Sequence, residues 1–207
     1  MSETLAELAR LGSATVYEAG GRRSYVDADL VQLIAGSKVA GPALTVRCGQ
    51  DDNLMVHAAM AQVRPGDVLV LTMPEPRPVA LVGELLATQA QVHGAAAILV
   101  DASVRDVEEL VELELPIWAR WVRVRGAAKD ALGTIGEPVR VGAATIRNRD
   151  VVVLDADGAA VVESERVDEV LQAARERAEK ELSKRAQLQA GALSYDLDGL
   201  RERVQGR

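Results

Sequence analysis

The sequence predicts a mixed α/β domain, and three observations carry that prediction. Buried apolar runs alternate with segments of helical periodicity over the first half of the chain. Turn signals containing Gly and Pro separate these segments. Apolar residues make up 48% of the 207 residues, enough for a sizeable core. We therefore expect an α/β domain over residues 1–165, followed by a helical arm of the same domain over residues 166–207.

Apolar residues at helical spacing mark five segments. Ser2 is a typical N-cap for the first helix, and Gly94 is a typical stop for the fourth. In the third segment, Asn53 and His57 lie one turn apart on the same face. The predicted helices are, in chain order, SETLAELARLG, SATVYEAGGR, DDNLMVHAAMAQV, VGELLATQAQVHG and a long charged helix from about residue 166 to 190.

Strands are predicted where apolar residues alternate with polar ones or run unbroken between turns. The segment GPALTVRCG alternates, whereas RPGDVLVLTM and AAAILVD contain continuous apolar runs typical of buried strands. After Pro116 the segments become short and turn-rich. The predicted strand segments are GPALTVRCG, RPGDVLVLTM, AAAILVD, PIWARWVRV, EPVRVGAATI and DVVVLDADGAAVVES.

Composition and charge argue against several classes of protein. A net charge of −7 should repel phosphate backbones, and an aromatic share of 2% offers few stacking platforms, so we expect no nucleic-acid partner. The single cysteine, Cys48, cannot form an intrachain disulfide and is most simply an apolar filler. The sequence shows no signal peptide and no apolar run of membrane-spanning length. We therefore expect a cytoplasmic protein that does not bind a membrane.

The first candidate site feature is the start of the fourth helix. Gly83, Glu84, Leu85 and Leu86 follow a strand and a Pro-rich loop. The first amides of a helix have no internal partner, so those of Leu85 and Leu86 could bind a carboxylate or a phosphate. The alternative is an ordinary helix start in which Glu84 serves the helix dipole.

The second feature is the Arg105–Asp106 pair after the strand AAAILVD. Sites in open α/β sheets collect at the carboxyl ends of strands. Arg105 could polarise a carbonyl or hold a carboxylate, and Asp106 could bind a hard cation. The alternative is a structural N-cap in which Asp106 and Glu109 form a capping-box-like arrangement. One helix and one strand separate the two features, so they should share one pocket, suited to a metal-assisted 2-oxo acid enzyme.

Four stretches of the chain resemble one known family. The stretch VGELLATQAQVHGAAAILVDASVRDVEEL, with LPIWAR after it, resembles the family that holds the regulator of RNase E activity and the class II pyruvate aldolases. Those aldolases cleave 4-hydroxy-4-methyl-2-oxoglutarate and 4-carboxy-4-hydroxy-2-oxoadipate. The other stretches are similar to the aldolase branch and extend the resemblance over nearly the whole chain. They are ATVYEAGGR, DDNLMVHAAMAQVRPGDVLVL and AGALSYDLDGLRERV.

The resemblance implies a fold, an assembly and a cofactor. The fold would be a layered ββα domain like the swivelling phosphohistidine domain, with the C-terminal arm packed on a neighbouring subunit. The assembly would be a trimer or a hexamer. The cofactor would be Mg²⁺ or Mn²⁺, and the substrate a small 2-oxo acid.

The resemblance also implies residue roles. Asp106 would be the metal ligand, and Arg105 would hold the C2 carbonyl oxygen and stabilise the enolate. Glu84 would hold a metal-bound water, while the amides of Leu85 and Leu86 would bind the pyruvyl carboxylate. The remaining implied residues are Asn53, His57 and Lys129, which match positions lining the family's site, and Glu181, which would reach in from a neighbouring subunit.

The implied activity is metal-dependent cleavage of 4-hydroxy-2-oxo di- or tricarboxylic acids to pyruvate and a second oxo acid, with oxaloacetate decarboxylation through the same enolate. Glu84 departs from the family, whose active aldolases carry Asp there, and the longer side chain moves the carboxylate by more than about 1 Å. The loop TMPEPRPVAL also differs. Two alternatives therefore stay open: a decarboxylase-only relative, and a non-catalytic oligomer that binds a protein partner such as a ribonuclease. The sequence contains no Gly-rich nucleotide-binding loop, which argues against a methyltransferase.

Overall fold

The computed structural model describes residues 2–206, which form a nine-stranded sheet, a two-stranded hairpin and eight α-helices. The strands are β1 (Val31–Gln32), β2 (Val39–Arg47), β3 (Val68–Thr72), β4 (Ala80–Val82), β5 (Ala97–Val104), β6 (Ile117–Val122), β7 (Thr134–Ile135), β8 (Val139–Val141), β9 (Ala144–Ile146), β10 (Val151–Asp155) and β11 (Gly158–Val162). The helices are α1 (Glu3–Leu11), α2 (Ser13–Ala19), α3 (Leu54–Ala59), α4 (Glu84–Val92), α5 (Val107–Glu112), α6 (Val167–Gln189), α7 (Ser194–Leu197) and α8 (Leu200–Gln205).

The strand order brings the ends of the parallel strands to one edge. From one side of the sheet to the other the order is β1-β6-β5-β3-β2-β10-β11, with β4 added beside β5 and β7 beside β2. Strands β2, β3, β5 and β6 run parallel, and β4 runs parallel to β5. Helices α3, α4 and α5 connect these strands. The loops that follow the parallel strands therefore meet at the same edge of the sheet.

The sheet lies between a layer of helices and the β8–β9 hairpin. Strand β3 shows the alternation directly, because Leu69 and Leu71 pack towards α3, α4 and α5 whereas Val68 and Val70 pack towards the hairpin. Helices α1 and α2 cover β10 and β11 through a third apolar cluster. This stacking of hairpin, sheet and helices confirms the predicted mixed α/β domain with ββα layers.

The C-terminal helices begin at Val167, close to the predicted boundary at residue 165. Near its start, α6 packs on α1 and α2. Its buried residues there are Val170, Leu171 and Ala174. The division into a catalytic domain and an arm stays a prediction. Within residues 2–206, no helix has both the length and the apolar character needed to cross a membrane.

One strand boundary differs from the prediction, and the difference places the candidate site. The strand predicted as AAAILVD continues to Val104, so Asp101 lies inside β5 rather than at its end. Asp101 is buried and forms an ion pair with Arg120 on β6. The longer strand ends immediately before Arg105. Cys48 is a buried apolar filler as predicted, and burial raises the pKa of its thiol to about 12.

Candidate functional site

A pocket of about 120 Å³ lies where the start of α4, the end of β5 and the loop after β6 meet. It stands at the carboxyl edge of the parallel strands, as the sequence predicts. Seven predicted site residues line it together: Asn53, His57, Leu85, Leu86, Arg105, Asp106 and Lys129.

Asp106 caps a helix other than its own. It has a left-handed backbone conformation (φ 59°, ψ 47°), which costs a non-glycine residue about 1 kcal/mol and is best tolerated by Asp and Asn. Its side chain makes no capping bond to α5, so the predicted alternative of a capping box with Glu109 is wrong. Instead, Oδ2 accepts a hydrogen bond from the N–H of Glu84 at the start of α4 (3.2 Å). The same oxygen lies 3.6 Å from Nε of Arg105.

Two glycines leave room for the Arg105 side chain. A Cβ atom added at Gly83 would collide with the Asp106 carboxylate and stand 3.3 Å from Arg105. A Cβ atom added at Gly126 would lie 2.7 Å from Nη1 of Arg105. The guanidinium therefore lies between two backbone segments that only glycine keeps open. Because the Arg105 side chain is 48% exposed, a ligand in the pocket can reach it.

The first turn of α4 presents free amides beside this guanidinium. The N–H of Glu84 is bonded to Asp106, whereas the next two amides, of Leu85 and Leu86, have no partner one turn back along the helix. Both residues line the pocket. The positive end of the helix dipole adds to the attraction for an anion. This side of the pocket therefore suits a molecule whose carboxylate binds the two amides while an oxygen on the adjacent carbon faces Arg105.

The Asn53 side chain contributes an acceptor without a partner. Its Nδ2 donates to the carbonyl of Leu81 (3.0 Å). Because that carbonyl can only accept, the hydrogen bond also fixes which end of the amide is Oδ1. Among the residues described, 2–206, no donor reaches Oδ1, although the atom is buried. Since buried polar atoms are normally satisfied, this oxygen suits a ligand hydroxyl or a water.

Asp52 is a residue that the sequence analysis missed. Its buried carboxylate accepts hydrogen bonds from the N–H groups of Leu54 (2.8 Å), Asp130 (2.6 Å) and Ala131 (3.0 Å). Burial alone would raise the pKa of Asp52, but these three donors outweigh it and hold the pKa below its usual value. The carboxylate thus ties the start of α3 to the loop that carries Lys129. In the sequence, only the position of Asp52 at the start of the predicted helical segment DDNLMVHAAMAQV pointed to this role.

We expect Asp52→Ala to lower the free energy of unfolding by about 3 kcal/mol at pH 7, because three N–H donors lose a charged acceptor. Urea denaturation measures the change, and Asp130→Ala, at an exposed neighbouring position, is the matched control. A lowered pKa stabilises the fold above the ordinary pKa and loses that effect as the pH falls through the lowered value. The difference between wild type and variant should therefore shrink in acid. Equal stability at pH 7 would contradict this role.

His57 and Lys129 form the third side of the pocket. The pKa of His57 lies below its ordinary value, first because of desolvation and second because of the nearby positive charge of Lys129. His57 is therefore neutral at neutral pH and able to accept a proton or a hydrogen bond.

Lys129→Gln is expected to raise the pKa of His57, because it removes one of the two causes that lower it. A pH titration of the histidine ring signals by NMR measures the shift. The chain contains two histidines, so His93, outside the pocket, provides an internal control. A His57 titration curve that does not move would show that the Lys129 charge does not act on the imidazole.

Two predicted residues lie outside the pocket in this chain. The Glu84 carboxylate accepts a hydrogen bond from Thr88 one turn along α4 (2.9 Å), so its side chain lies along the helix. Only the backbone N–H of Glu84 contacts the site, through its hydrogen bond to Asp106. Glu181 lies on α6, where it forms an ion pair with Arg177 (2.9 Å). The metal-linked role of Glu84 and the role of Glu181 from a neighbouring subunit stay predictions.

The donor set is compatible with a magnesium-like ion held by a single carboxylate. Across residues 2–206, no three Asp, Glu, His or Cys side chains form a metal-binding group. In the same range, Oδ1 of Asp106 has no hydrogen-bond partner, since both of its contacts use Oδ2. Mg²⁺ commonly binds through one or two carboxylates and completes its shell with water and substrate oxygens. Asp106 therefore fits the role of direct ligand that the resemblance implies.

Comparisons with known proteins agree on the fold and the family. A protein of Halalkalibacterium halodurans named "Putative 4-hydroxy-4-methyl-2-oxoglutarate aldolase" is 35% identical over 155 residues, which are 74% of each chain. The crystal structure of Streptomyces coelicolor RraAS2, described as an unusual member of the RNase ES inhibitor RraA protein family, shares 32% identity and a TM-score of 0.79 over 89% of this chain and 96% of that one. A crystal structure from Pseudomonas syringae, at 21% identity and a TM-score of 0.84, covers 93% of this chain and 92% of its own and supports the fold alone.

The match to a family model covers the site itself. The model of the RraA-like family, described as Aldolase/RraA, matches residues 12–161. This range contains the candidate pocket from Asn53 to Lys129 and most of the sheet, and it ends before α6. The chain therefore belongs to the RraA-like family, Aldolase/RraA.

Proposed function

We propose that this chain is a divalent-metal-dependent lyase that cleaves 4-hydroxy-2-oxo di- or tricarboxylic acids to pyruvate and a second oxo acid. One observation carries the proposal. Arg105, Asp106 and the free amides of Leu85 and Leu86 share a single pocket. That set offers a donor for each oxygen at the C1–C2 end of a 2-oxo acid. The name of the Halalkalibacterium relative supports aldol chemistry in the family.

Each part of the substrate has a matching group in the pocket. The C1 carboxylate binds at the amides of Leu85 and Leu86, where the helix dipole is favourable. The C2 keto oxygen then faces the Arg105 guanidinium. The C4 hydroxyl donates to His57, and Oδ1 of Asn53, which lacks a donor within the described residues, binds a water beside it.

Asp106 holds the cofactor in this proposal. Mg²⁺ or Mn²⁺ would bind its carboxylate and, as a Lewis acid, would polarise the substrate oxygens beside Arg105. The hydrogen bond from the Glu84 N–H to Oδ2 fixes the carboxylate, so Oδ1 is held in a constant orientation.

The bond changes follow from these positions. His57, neutral at neutral pH, accepts the proton of the C4 hydroxyl. The C3–C4 bond breaks, C4 becomes the carbonyl carbon of the second product, and the bonding electron pair moves into the C2 carbonyl. Arg105 stabilises the negative charge that develops on the C2 oxygen of the pyruvate enolate. A proton returns to C3 and completes pyruvate; with oxaloacetate, CO₂ leaves from the same carbon.

Turnover assays test the proposal. Pyruvate release would be measured from oxaloacetate and from 4-carboxy-4-hydroxy-2-oxoadipate, each with Mg²⁺, with Mn²⁺ and with EDTA. Reactions without protein correct for spontaneous decarboxylation. We expect turnover of both acids that EDTA abolishes. Turnover of oxaloacetate alone would favour the decarboxylase-only relative, and no turnover of either acid by folded protein would contradict the proposal.

We further propose that the active form is a homo-oligomer, a trimer or a hexamer, in which Glu181 of one subunit completes the pocket of the next. Within one chain Glu181 pairs with Arg177 and does not line the pocket, which supports a role across subunits. Arg105→Ala and Glu181→Gln should each be nearly inactive. When the two variants are refolded together in equal amounts, about a quarter of the shared sites receive both intact residues, so about a quarter of wild-type activity should return. No recovery in the mixed oligomer would contradict a shared site.

A second candidate function has its own supporting observation. The Glu84 carboxylate accepts a hydrogen bond from Thr88 and does not line the pocket. In addition, RraAS2 belongs to a family described as RNase ES inhibitors. The chain would then be a non-catalytic oligomer that binds a ribonuclease. Inhibition of a purified RNase E-type enzyme by the chain, together with no metal-dependent turnover, would favour this function over the lyase.

A further inference from the structure

A second cavity, of about 270 Å³, lies beside β11, the edge strand at the other end of the sheet from the candidate site. Its walls come from α2 and the loop after it, from the segment around β9, from the end of β11 and from the start of α6. Strands β3, β2 and β10 stand between β5, which carries the candidate site, and β11. The cavity is therefore separate from the pocket around Arg105, and the proposed reaction does not use it.

The floor of this cavity is apolar and rigid. It is formed by valines that are at most 9% exposed, from α2, β11 and α6. These are Val16, Val161, Val162 and Val170. Branched side chains packed in the core have few alternative rotamers, so they form a fixed surface. Such a floor suits the hydrocarbon part of a ligand.

The rim carries three arginines from three separate segments, Arg23, Arg147 and Arg166. Arg147 forms an ion pair with Glu163 (3.1 Å), and Arg166 pairs with Glu169 (2.8 Å). Arg23 is exposed, and no carboxylate of residues 2–206 lies within 4.0 Å of its guanidinium. Arg23 is thus the cation of the rim without a carboxylate partner in the described residues, and the exposed Arg147–Glu163 pair is weak. Arg166 donates to Glu169 from Nε and Nη2, and within residues 2–206 its Nη1 has no partner.

The buried carboxylate of Asp150 holds one wall of the cavity in place. Asp150 accepts hydrogen bonds from the backbone N–H groups of Arg147 (2.9 Å) and Ser164 (3.2 Å). It therefore fixes the segment that carries the Arg147 side chain against the turn before α6. Glu163 pairs with Arg147 and Glu169 pairs with Arg166, so the positive charge of the rim that has no carboxylate partner within the described residues is that of Arg23.

We propose that this cavity binds a small dianion with a short aliphatic body. The valine floor would contact the body, and Arg23 and Arg166 would bind the anionic groups, because guanidinium groups pair with carboxylates and phosphates in two-pronged hydrogen bonds. The volume suits a ligand smaller than a nucleotide. A dicarboxylate and the phosphate ester of a short alcohol share this chemistry, inorganic phosphate probes the charged group of the second, and the experiment distinguishes them.

Binding is measured on the full chain by titration calorimetry and by methyl NMR of the valines. The probes are succinate and inorganic phosphate, with acetate as a monoanion at matched ionic strength. The valine methyl signals distinguish the two sites, because the floor valines line this cavity and do not line the pocket around Arg105. We expect succinate or phosphate to shift the methyl signals of Val161 and Val170. Arg23→Gln with Arg166→Gln should weaken that binding at least about tenfold. Arg203→Gln, at an exposed arginine on α8, is the matched control.

The outcomes are distinct. A response to succinate alone identifies a dicarboxylate site, and a response to phosphate alone identifies a phosphate site. No shift of the floor valines with either probe, or equal affinity in the Arg23/Arg166 variant and the Arg203 control, would overturn the proposal. If the double variant fails to fold, Arg23→Gln alone carries the test, since its exposed side chain supports no packing and the affinity should still fall.

Discussion

Arg105→Ala is expected to lower kcat for pyruvate release by about 1,000-fold, the scale at which loss of one preorganised donor to a developing oxyanion acts. The C1 carboxylate keeps its contacts with the amides of Leu85 and Leu86, so KM should change much less. Arg105→Lys keeps the charge but lacks the planar fork and should fall between wild type and Arg105→Ala. Steady-state kinetics with both proposed substrates measure these effects.

The matched control for this loss is Arg123, which follows β6. It is also an exposed arginine next to the site, yet it does not line the pocket, so Arg123→Ala should retain activity. The Arg105 side chain is about half exposed and lies 3.6 Å from its partner carboxylate, so its removal should change the free energy of unfolding by less than about 0.5 kcal/mol. A folded Arg105→Ala variant that keeps more than about a tenth of wild-type kcat would contradict the assigned role.

Asp106→Asn should reduce turnover at least about 100-fold and weaken the binding of Mn²⁺. Asn tolerates the left-handed backbone at this position and can still accept the hydrogen bond from Glu84, so the start of α4 should keep its structure. What the variant loses is the negative charge that a divalent ion requires. Turnover as a function of Mg²⁺ concentration, and Mn²⁺ binding by electron paramagnetic resonance, measure the two effects.

Glu109→Gln provides the matched control for Asp106→Asn, because Glu109 is an exposed acidic residue on α5 close to Asp106. It should retain both turnover and metal binding. Unchanged Mn²⁺ affinity in Asp106→Asn would show that the metal is held elsewhere.

The sequence was sufficient for the sheet and for most of the pocket, because both depend on local patterns. Continuous apolar runs such as the one before Asp101 mark buried strands, and parallel strands deliver the residues that follow them to one edge. This is why the order of strands and helices along the chain predicts that Arg105 and the first amides of α4 lie together. The family resemblance then added Asn53, His57 and Lys129, which the structure brings into the same pocket.

The remaining features depend on contacts between distant segments, which no local pattern encodes. Asp106 was a plausible cap for its own helix, but the fold places α4 beside it and the carboxylate caps that helix instead. Asp52 acquires two of its three N–H donors from residues 78 and 79 positions further along the chain. The direction of the Glu84 side chain has a local cause instead, because Thr88 one turn along α4 donates a hydrogen bond to the carboxylate.

The central claim is that the pocket around Arg105 and Asp106 forms the enolate of pyruvate. Exchange of the pyruvate methyl protons in D₂O tests this claim most directly, because the exchange requires only pyruvate and its enolate. With wild-type chain and Mg²⁺, the methyl signal in ¹H NMR should decay as deuterium enters at C3. EDTA should stop the decay, and Arg105→Ala should slow it at least about 100-fold. Exchange no faster than in buffer, from folded chain supplied with Mg²⁺ or Mn²⁺, would contradict an enolate-forming site at Arg105 and Asp106.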